Sequence, residues 1–431
     1  MLRLLRGLTL WWQLKFGWQR LVALVLPLTL VLSACQPRLS WGDEQKLLSQ
    51  AWTTLDRAYV DASFNDQNWW EVRQAFLRQP MPDREVTYAK IVEMMGTLGD
   101  PFTRFLDPEA YRSLQTSTAG ALSGVGLQIA LDEAGDRIRV LTPIEDSPAA
   151  RAGLMPDDII LCIDGTTTAK MGLDEAAALM RGTVGSSVRL EILRSERPFD
   201  VVLERADIEI DPVRTKIIKN AIGRQSVAYI RLNQFNGNAV DKVAEAITQA
   251  ENERVVGYVL DLRGNPGGLL RAGIEIAQMW LADATIVYTI DRNGVQDSAR
   301  ATGNRLTEAP LVVLVNRGSA SASEVLAGAL QDNHRAVLVG TRTFGKGSIQ
   351  SLFELTDGSG MAVTIAKYMT PAKRDINKLG IEPDIEVELP DGELLSRDRV
   401  ATAADRQFVR ALQALQQVKK LALVSRHSDA V

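Results

Sequence analysis

The sequence predicts a multidomain α+β/α/β chain: a helical N-terminal part, a small part built of short strands, and an α/β core with a mainly parallel sheet. Three observations predict it. Apolar residues recur at helical spacing from residue 43 to about residue 114. Short alternating or continuously apolar runs, separated by glycine turns, fill the next stretch. From residue 207 onward, buried strand-like runs alternate with helix-like ones, the pattern of a mainly parallel sheet covered by helices.

A chain of 431 residues allows several domains and large cores, and its 46% hydrophobic and 24% charged content is ordinary for globular proteins. The net charge of −4 is mild, and no basic block or stripe points to nucleic acid. The two histidines, His334 and His427, exclude a His-rich metal site and leave a Ser-His-Asp triad only two possible bases. His427 lies in a polar tail, and His334 looks like a solvated helix end. We expect no metal and no cofactor.

The first 34 residues carry Arg3, Arg6, Lys15 and Arg20 and no acidic residue, followed by an apolar run interrupted by Pro27 and Thr29. That run is shorter than the ~20 residues a spanning helix needs, so residues 1–34 are expected to be a signal peptide of an exported protein. Without them the net charge is about −8. Leu32-Ser33-Ala34-Cys35 resembles a bacterial lipobox, in which the cysteine is lipidated and anchors the protein to a membrane. A plain export signal with an incidental cysteine fits the same residues. Cys162, in a strand-like run, reads as buried, so a structural disulfide is not expected.

Residues 35–118 read as a helical domain. Leu47, Leu48, Trp52 and Leu55 share one helical stripe and Val72, Phe76 and Leu77 another. Pro80 and Pro82 break the pattern, Tyr88, Ile91, Met94, Met95 and Leu98 resume it, and Gly99-Asp100-Pro101 ends it. Trp69 and Trp70 are expected in its core. Residues 119–206 hold strand-like runs at 125–131, 137–141, 159–163, 188–193 and 201–203, with helix-like pieces at 149–152 and 173–180. About 85 residues of this layout, from Gly124, resemble a PDZ domain. The resemblance rests on Ser123-Gly124-Val125-Gly126-Leu127, the run 147–154 (SPAARAGL) and Gly165. It implies that the Gly124, Val125, Gly126, Leu127 segment holds the terminal carboxylate of a protein tail while the adjoining strand edge pairs with the residues before it. Residues 207–431 form the α/β part, with strands expected at 227–232, 255–262, 285–290, 311–315, 336–339 and 361–368 and a last helix at 401–418.

Two turns at strand ends could carry chemistry. Residues 261–268 (DLRGNPGG) can turn backbone N–H groups toward a ligand, or merely make a tight turn. Residues 316–324 (NRGSASASE) put a serine hydroxyl at a helix N-terminus, where free N–H groups favour developing negative charge. Ser321-x-x-Glu324 is also a capping box, which would make Ser321 a cap. Residues 340–346 satisfy G-x-x-x-x-G-K, but Gly347 stands where a P-loop needs Ser or Thr, and the alternation after it reads as a strand rather than a helix. The nucleotide reading fails on both points. Lys346, between Gly345 and Gly347, could instead lie buried and neutral beside a serine and take its proton, or lie exposed on a hairpin.

Residues 261–269, 316–332 and 340–350, in the order helical segment, PDZ domain, core, resemble the C-terminal processing peptidases, or tail-specific proteases. The resemblance implies a serine endopeptidase without cofactor, acting on protein tails. It implies Ser321 as nucleophile, chosen over Ser319 and Ser323 because it lies 25 positions before Lys346. Lys346 would be the base, held by Gln350, and Gly267 and Ala322 would supply the oxyanion-hole N–H groups. A narrower resemblance, carried by Asn68-Trp69-Trp70, residues 100–104 (DPFTR) and 123–129 (SGVGLQI), is to the enzymes of oxygenic phototrophs. Those trim the photosystem II reaction-centre (PsbA-type) precursor. It implies a membrane-protein substrate and a location in the thylakoid lumen or periplasm. Bacterial relatives with the same residues trim other tails, and a non-catalytic PDZ adaptor and a crotonase-like acyl-transfer enzyme are the competing readings.

Overall fold

The computed structural model describes residues 42–131, 137–144, 147–209, 211–294, 296–389 and 399–428. The expected leader, residues 1–34, and Cys35 lie outside the described residues.

Among the described residues, four helices come first: Asp43–Ala58, Trp69–Leu77, Arg84–Gly96 and Pro108–Ala119. Side chains set their starts. Asn68 accepts from the Glu71 N–H, Asp83 from Val86, and Asp107 from Glu109 and Ala110, with Pro108 at the first helical position. Their apolar stripes bury Leu48, Leu55, Ile91 and Met94, but not against one another alone. The same core takes in Leu355, Met361 and Val363 from the α/β part. The short strand Arg104–Leu106 joins that part's sheet, pairing with residues 360–362. Trp69 is buried, whereas Trp70 is 57% exposed, contrary to expectation. Asn68 starts the helix so that Trp69 faces inward, and Trp70, one position on, faces out against Arg73.

The PDZ domain is entered and left through a two-stranded neck, Ala121–Gly124 against Ala206–Glu209. Its sheet runs Leu127–Leu131, Ile138–Pro143, Ile159–Ile163, Ser187–Arg194, Arg197–Glu204, so Leu127–Leu131 is an edge strand. Helices Pro148–Arg151 and Leu173–Met180 complete it. Cys162 is half-buried rather than buried, because its side of the strand Ile159–Ile163 is only partly covered.

The α/β part contains two sheets. Strands Gln225–Leu232, Tyr258–Asp261, Leu311–Val315, Ala336–Gly340 and Ile385–Glu386 are parallel, with Val213–Ile222 added antiparallel at one edge. This is the mainly parallel sheet that the alternation predicted, and Leu311–Val315 at its centre is buried throughout. Helices Ala239–Asn252, Leu270–Gln278 and Ala322–Asp332 share one core with one of its faces, and Phe408, Ala411 and Leu415 of the terminal helix Arg406–Ser428 cover the other. The second sheet is antiparallel, and the strand–helix alternation of the sequence does not separate it from the first. Gly360–Met369 lies at its centre, bordered by Ser348–Glu354, Thr285–Asp291 and Arg104–Leu106, with Gln296–Arg300 outermost. Residues 341–347 form a loop that leads into a strand, so no helix follows the G-x-x-x-x-G-K run.

Candidate active site

The buried strand Leu311–Val315 delivers the chain into the turn at residues 316–320, and helix Ala322–Asp332 leaves it. Three serines lie there in three different states. Ser319 is buried and donates to the Leu262 carbonyl at 2.8 Å. Ser323 is buried and donates to the Asn265 carbonyl at 2.9 Å. Ser321 is only partly buried and lines a cleft of about 410 Å³. Its backbone has φ 56° and ψ −116°, a positive-φ conformation that non-glycine residues seldom adopt and that costs on the order of 1–3 kcal/mol.

The capping box at Ser321 is present, but its chemistry differs from the simple cap. Glu324 Oε2 accepts the Ser321 N–H at 2.9 Å. The Glu324 N–H lies 2.8 Å from the Ser321 carbonyl, so the hydroxyl is not required to satisfy it. The Ala322 N–H, first in the helix, makes no hydrogen bond with a described residue and has no intrahelical partner by geometry.

Glu324 does more than close the helix start. Fully buried, it also accepts from Thr343 Oγ1 at 2.6 Å, Gly345 N–H at 2.7 Å and Lys346 N–H at 2.9 Å. One carboxylate therefore ties the serine turn to the lysine loop. The Tyr368 hydroxyl makes a second tie, lying 3.0 Å from the Ser321 carbonyl and also hydrogen-bonded to the Lys346 carbonyl. Burial and the nearby Glu324 charge push the phenol well above its ordinary value, which keeps it a donor.

Lys346 lines the same cleft as Ser321, with its amine 4.9 Å from the centre of the Phe102 ring. Burial lowers its pKa below the ordinary lysine value, the Arg104 guanidinium lowers it further, and Asp100 and Glu324 oppose the shift. The flanking glycines are explained by packing. A Cβ on Gly345 would lie 2.9 Å from the Lys378 carbonyl carbon, and one on Gly347 2.8 Å from Asn377. They let the lysine loop lie flat on residues 377–380.

Three expected contacts are absent. The Ser321 hydroxyl and the Lys346 amine line one cleft but make no hydrogen bond to each other. Gln350 lines the cleft, but its amide donates to Ser348 Oγ at 2.9 Å and Thr364 Oγ1 at 3.2 Å, not to Lys346. The neighbouring hydroxyls on its own sheet are simply nearer. The Gly267 N–H is taken by Asn265 Oδ1 at 2.9 Å, a local side-chain turn that asparagine favours. Gly267 nonetheless abuts the serine: with φ 99°, a Cβ there would stand 2.8 Å from Ser321 Cβ and 3.0 Å from the Ala322 nitrogen.

Sequence reasoning missed Glu324 as a tie, and it missed Tyr368, Phe102 and Arg104 as cleft residues. Only the DPFTR segment gave a signal, as part of a resemblance rather than as a wall of the site. Phe102, Arg104 and Leu114 come from the helical part, Pro266 and Gly268 from the first turn, and Ile349 and Leu352 from the strand after Lys346.

In the PDZ domain Gly126 has φ 78°, and a Cβ there would collide with Ser147 at 2.2 Å. The carbonyls of Val125 and Gly126 are committed to the Ala149 and Ile144 N–H groups. Val125 is buried. Leu127 begins the edge strand, whose outer side pairs with no described strand. Another cleft, of about 760 Å³, lies between helix Pro108–Ala119 and Arg181 to Val184, away from Ser321.

Residues 226–387 match the family model for peptidase family S41, and residues 139–194 match a PDZ domain model. The chain is 50% identical over 400 residues to the carboxyl-terminal-processing protease of a Synechocystis species, covering 92% of this chain and 93% of that one.

The chain belongs to the carboxyl-terminal-processing proteases of family S41.

A Picosynechococcus family member is 50% identical over 410 residues, covering 95% of this chain and 98% of its own. The chloroplastic carboxyl-terminal-processing peptidase 2 of Arabidopsis thaliana is 44% identical over 375 residues, at 84% and 72% coverage. Among solved structures, the photosystem II D1 C-terminal processing protease aligns with a TM-score of 0.58 at 40% identity, over 86% of this chain and 98% of that one. The protein is thus a serine-type C-terminal processing peptidase with a PDZ domain, close to the photosystem II D1 processing enzymes.

Proposed function

We propose that Ser321 and Lys346 form the catalytic dyad of an endopeptidase that cuts a protein near its C-terminus. The observation that carries this reading is the shared cleft. A partly exposed serine at a helix start and a half-buried lysine line it together, and Glu324 and Tyr368 tie their two loops. Once the Lys346 side chain closes to hydrogen-bond distance of Ser321, its neutral amine takes the proton as the hydroxyl attacks the scissile carbonyl, and passes it to the leaving amine; water then releases the acyl group by the same route. The Ala322 N–H and the helix dipole favour the oxyanion. Gly267 joins as the second donor by exchanging its bond to Asn265 for one to the oxyanion. Gln350 serves as a lysine-holding residue only after a rotamer change that frees its amide from Ser348 and Thr364.

The PDZ domain takes the substrate's tail along the open edge of Leu127–Leu131, with the terminal carboxylate at the N–H groups of the Gly124, Val125, Gly126, Leu127 segment. By its relatives the substrate is the C-terminal extension of the photosystem II D1 (PsbA-type) precursor, a membrane protein. The enzyme would then work after export, in the thylakoid lumen or periplasm, with Cys35 as a lipid anchor if the lipobox is used. Other protein tails are the alternative substrates.

Ser321→Ala and Lys346→Ala are each expected to abolish cleavage of a precursor tail peptide, with thermal unfolding unchanged. Cleavage that survives Ser321→Ala would sink the dyad. Tail binding without turnover by the unaltered protein would make it an adaptor. A peptide amidated at its C-terminus should be cut poorly, and equal cutting of free and amidated peptides would refute recognition through the carboxylate.

A further inference from the structure

The cleft beside Ser321 has a one-sided charge. Of the side chains that line it, only Arg104 and Lys346 are basic, and none is acidic. Nearby carboxylates are occupied. Asp100 accepts from the Phe102 N–H at 3.0 Å, Thr103 Oγ1 at 2.7 Å and Thr364 Oγ1 at 2.6 Å. Glu324 is buried under its own four donors.

Arg104 is held differently. Its backbone is fixed in the sheet opposite Ala362, yet its side chain is exposed and makes no hydrogen bond or ion pair with a described residue. An arginine on a rigid strand, aimed into a cleft that must receive a peptide chain, presents a planar fork suited to donating two parallel hydrogen bonds to a carboxylate. Lys346 cannot take that part. An ion pair with substrate would hold its amine protonated and remove the base.

We propose that Arg104 receives a carboxylate of the substrate close to the scissile bond, either an acidic side chain or the terminal carboxylate of a short tail. The cleft then reads substrate charge separately from the PDZ domain. This rests on the scissile bond lying at Ser321.

The test compares kcat/KM of the wild-type enzyme and Arg104→Gln on three peptides of one sequence. The first has a free C-terminus and a glutamate a few residues from the cut. The second replaces that glutamate by glutamine, and the third keeps it but is amidated at the C-terminus. Measurements are made at a pH where Lys346 is fully deprotonated, so that its titration does not enter. On the first peptide Arg104→Gln should lower kcat/KM about tenfold or more, mainly through KM. Arg104→Lys, which keeps the charge without the fork, should recover part of the loss.

The penalty should vanish on the glutamine peptide if the side chain is the ligand, and on the amidated peptide if the terminus is. PDZ effects cancel, because each peptide is read as a ratio of the two enzymes. An equal penalty on all three peptides, or none on any, overturns the proposal. Cleavage that survives Ser321→Ala would remove the dyad while leaving these ratios interpretable, so the two failures stay distinct.

Discussion

The proposed base, Lys346, can act only when neutral, and its surroundings favour that form: burial most, then the Arg104 charge, against Asp100 and Glu324. Below its pKa the amine is protonated and cannot take the serine proton, so kcat/KM should rise with pH through that pKa. The rise should lie below the ordinary lysine value of 10.5. Arg104→Gln removes a lowering charge and should move the rise to higher pH, which a pH–rate profile on a peptide without carboxylates would read. Tyr368→Phe tests the other local feature. It leaves the Ser321 and Lys346 carbonyls without their shared donor, while the ring still fills its space. A fall in kcat of about tenfold at unchanged KM is expected, the size of one lost buried hydrogen bond. A fall confined to the melting temperature would show that the hydroxyl only supports the fold.

At the level of elements, the site is a junction between the start of helix Ala322–Asp332 and the loop before strand Ser348–Glu354, and Glu324 is its pin. Glu324→Gln would turn an amide NH₂ toward groups that themselves donate. At least two donors lose their acceptor, at about 1–3 kcal/mol each, so denaturant unfolding should show a loss of a few kcal/mol along with activity. Retained stability and activity would show that the pin is dispensable. The sequence made part of this junction legible. The hydrophobic run 311–315, the serine turn and the strand alternation after Lys346 are local patterns, and the structure has the strand, turn and strand that they predict. Glu324 was visible only as a capping partner, because its contacts to Thr343, Gly345 and Lys346 join residues about twenty positions away. Tyr368 and Arg104 reach the cleft through antiparallel pairing in the second sheet, Phe102 lies in the turn just before the paired strand, and no periodicity encodes which strands pair. The serine chosen by its spacing to Lys346 is the one of the three that lines the cleft; the neighbours' burial, which also sets it apart, is a tertiary fact.

At the scale of the molecule, the helical part and the α/β part share a core, whereas the PDZ domain hangs on a neck. Ser321, Lys346 and Tyr368 belong to the α/β part, but Phe102, Arg104 and Leu114 come from the helical part, so the cleft exists only when both are present. Their interface also carries polar ties: Arg84 and the Tyr88 hydroxyl both meet Asp357, at 2.6 and 2.8 Å, and the Val60 N–H donates to the Thr364 carbonyl. Removing residues 42–118 would expose Leu355, Met361 and Val363 and unpair the edge of strand Gly360–Met369, leaving a chain that should aggregate rather than fold. The PDZ domain is different. Gly124 pairs directly with Ala206, so the chain enters and leaves it at adjacent strand positions, close enough for a short turn to bridge. Replacing residues 125–205 by a few glycines and serines should leave one cooperative unfolding transition and a working cleft. That variant should cut tail peptides slowly, with the preference for a free over an amidated C-terminus lost or reduced to what Arg104 supplies. The comparison is made by calorimetry and by cleavage of the two peptides. An unfolded PDZ-less chain would mean that the neck transmits stability as well as connection, and an intact terminal preference, undiminished in the Arg104→Gln background, would place tail recognition outside both sites.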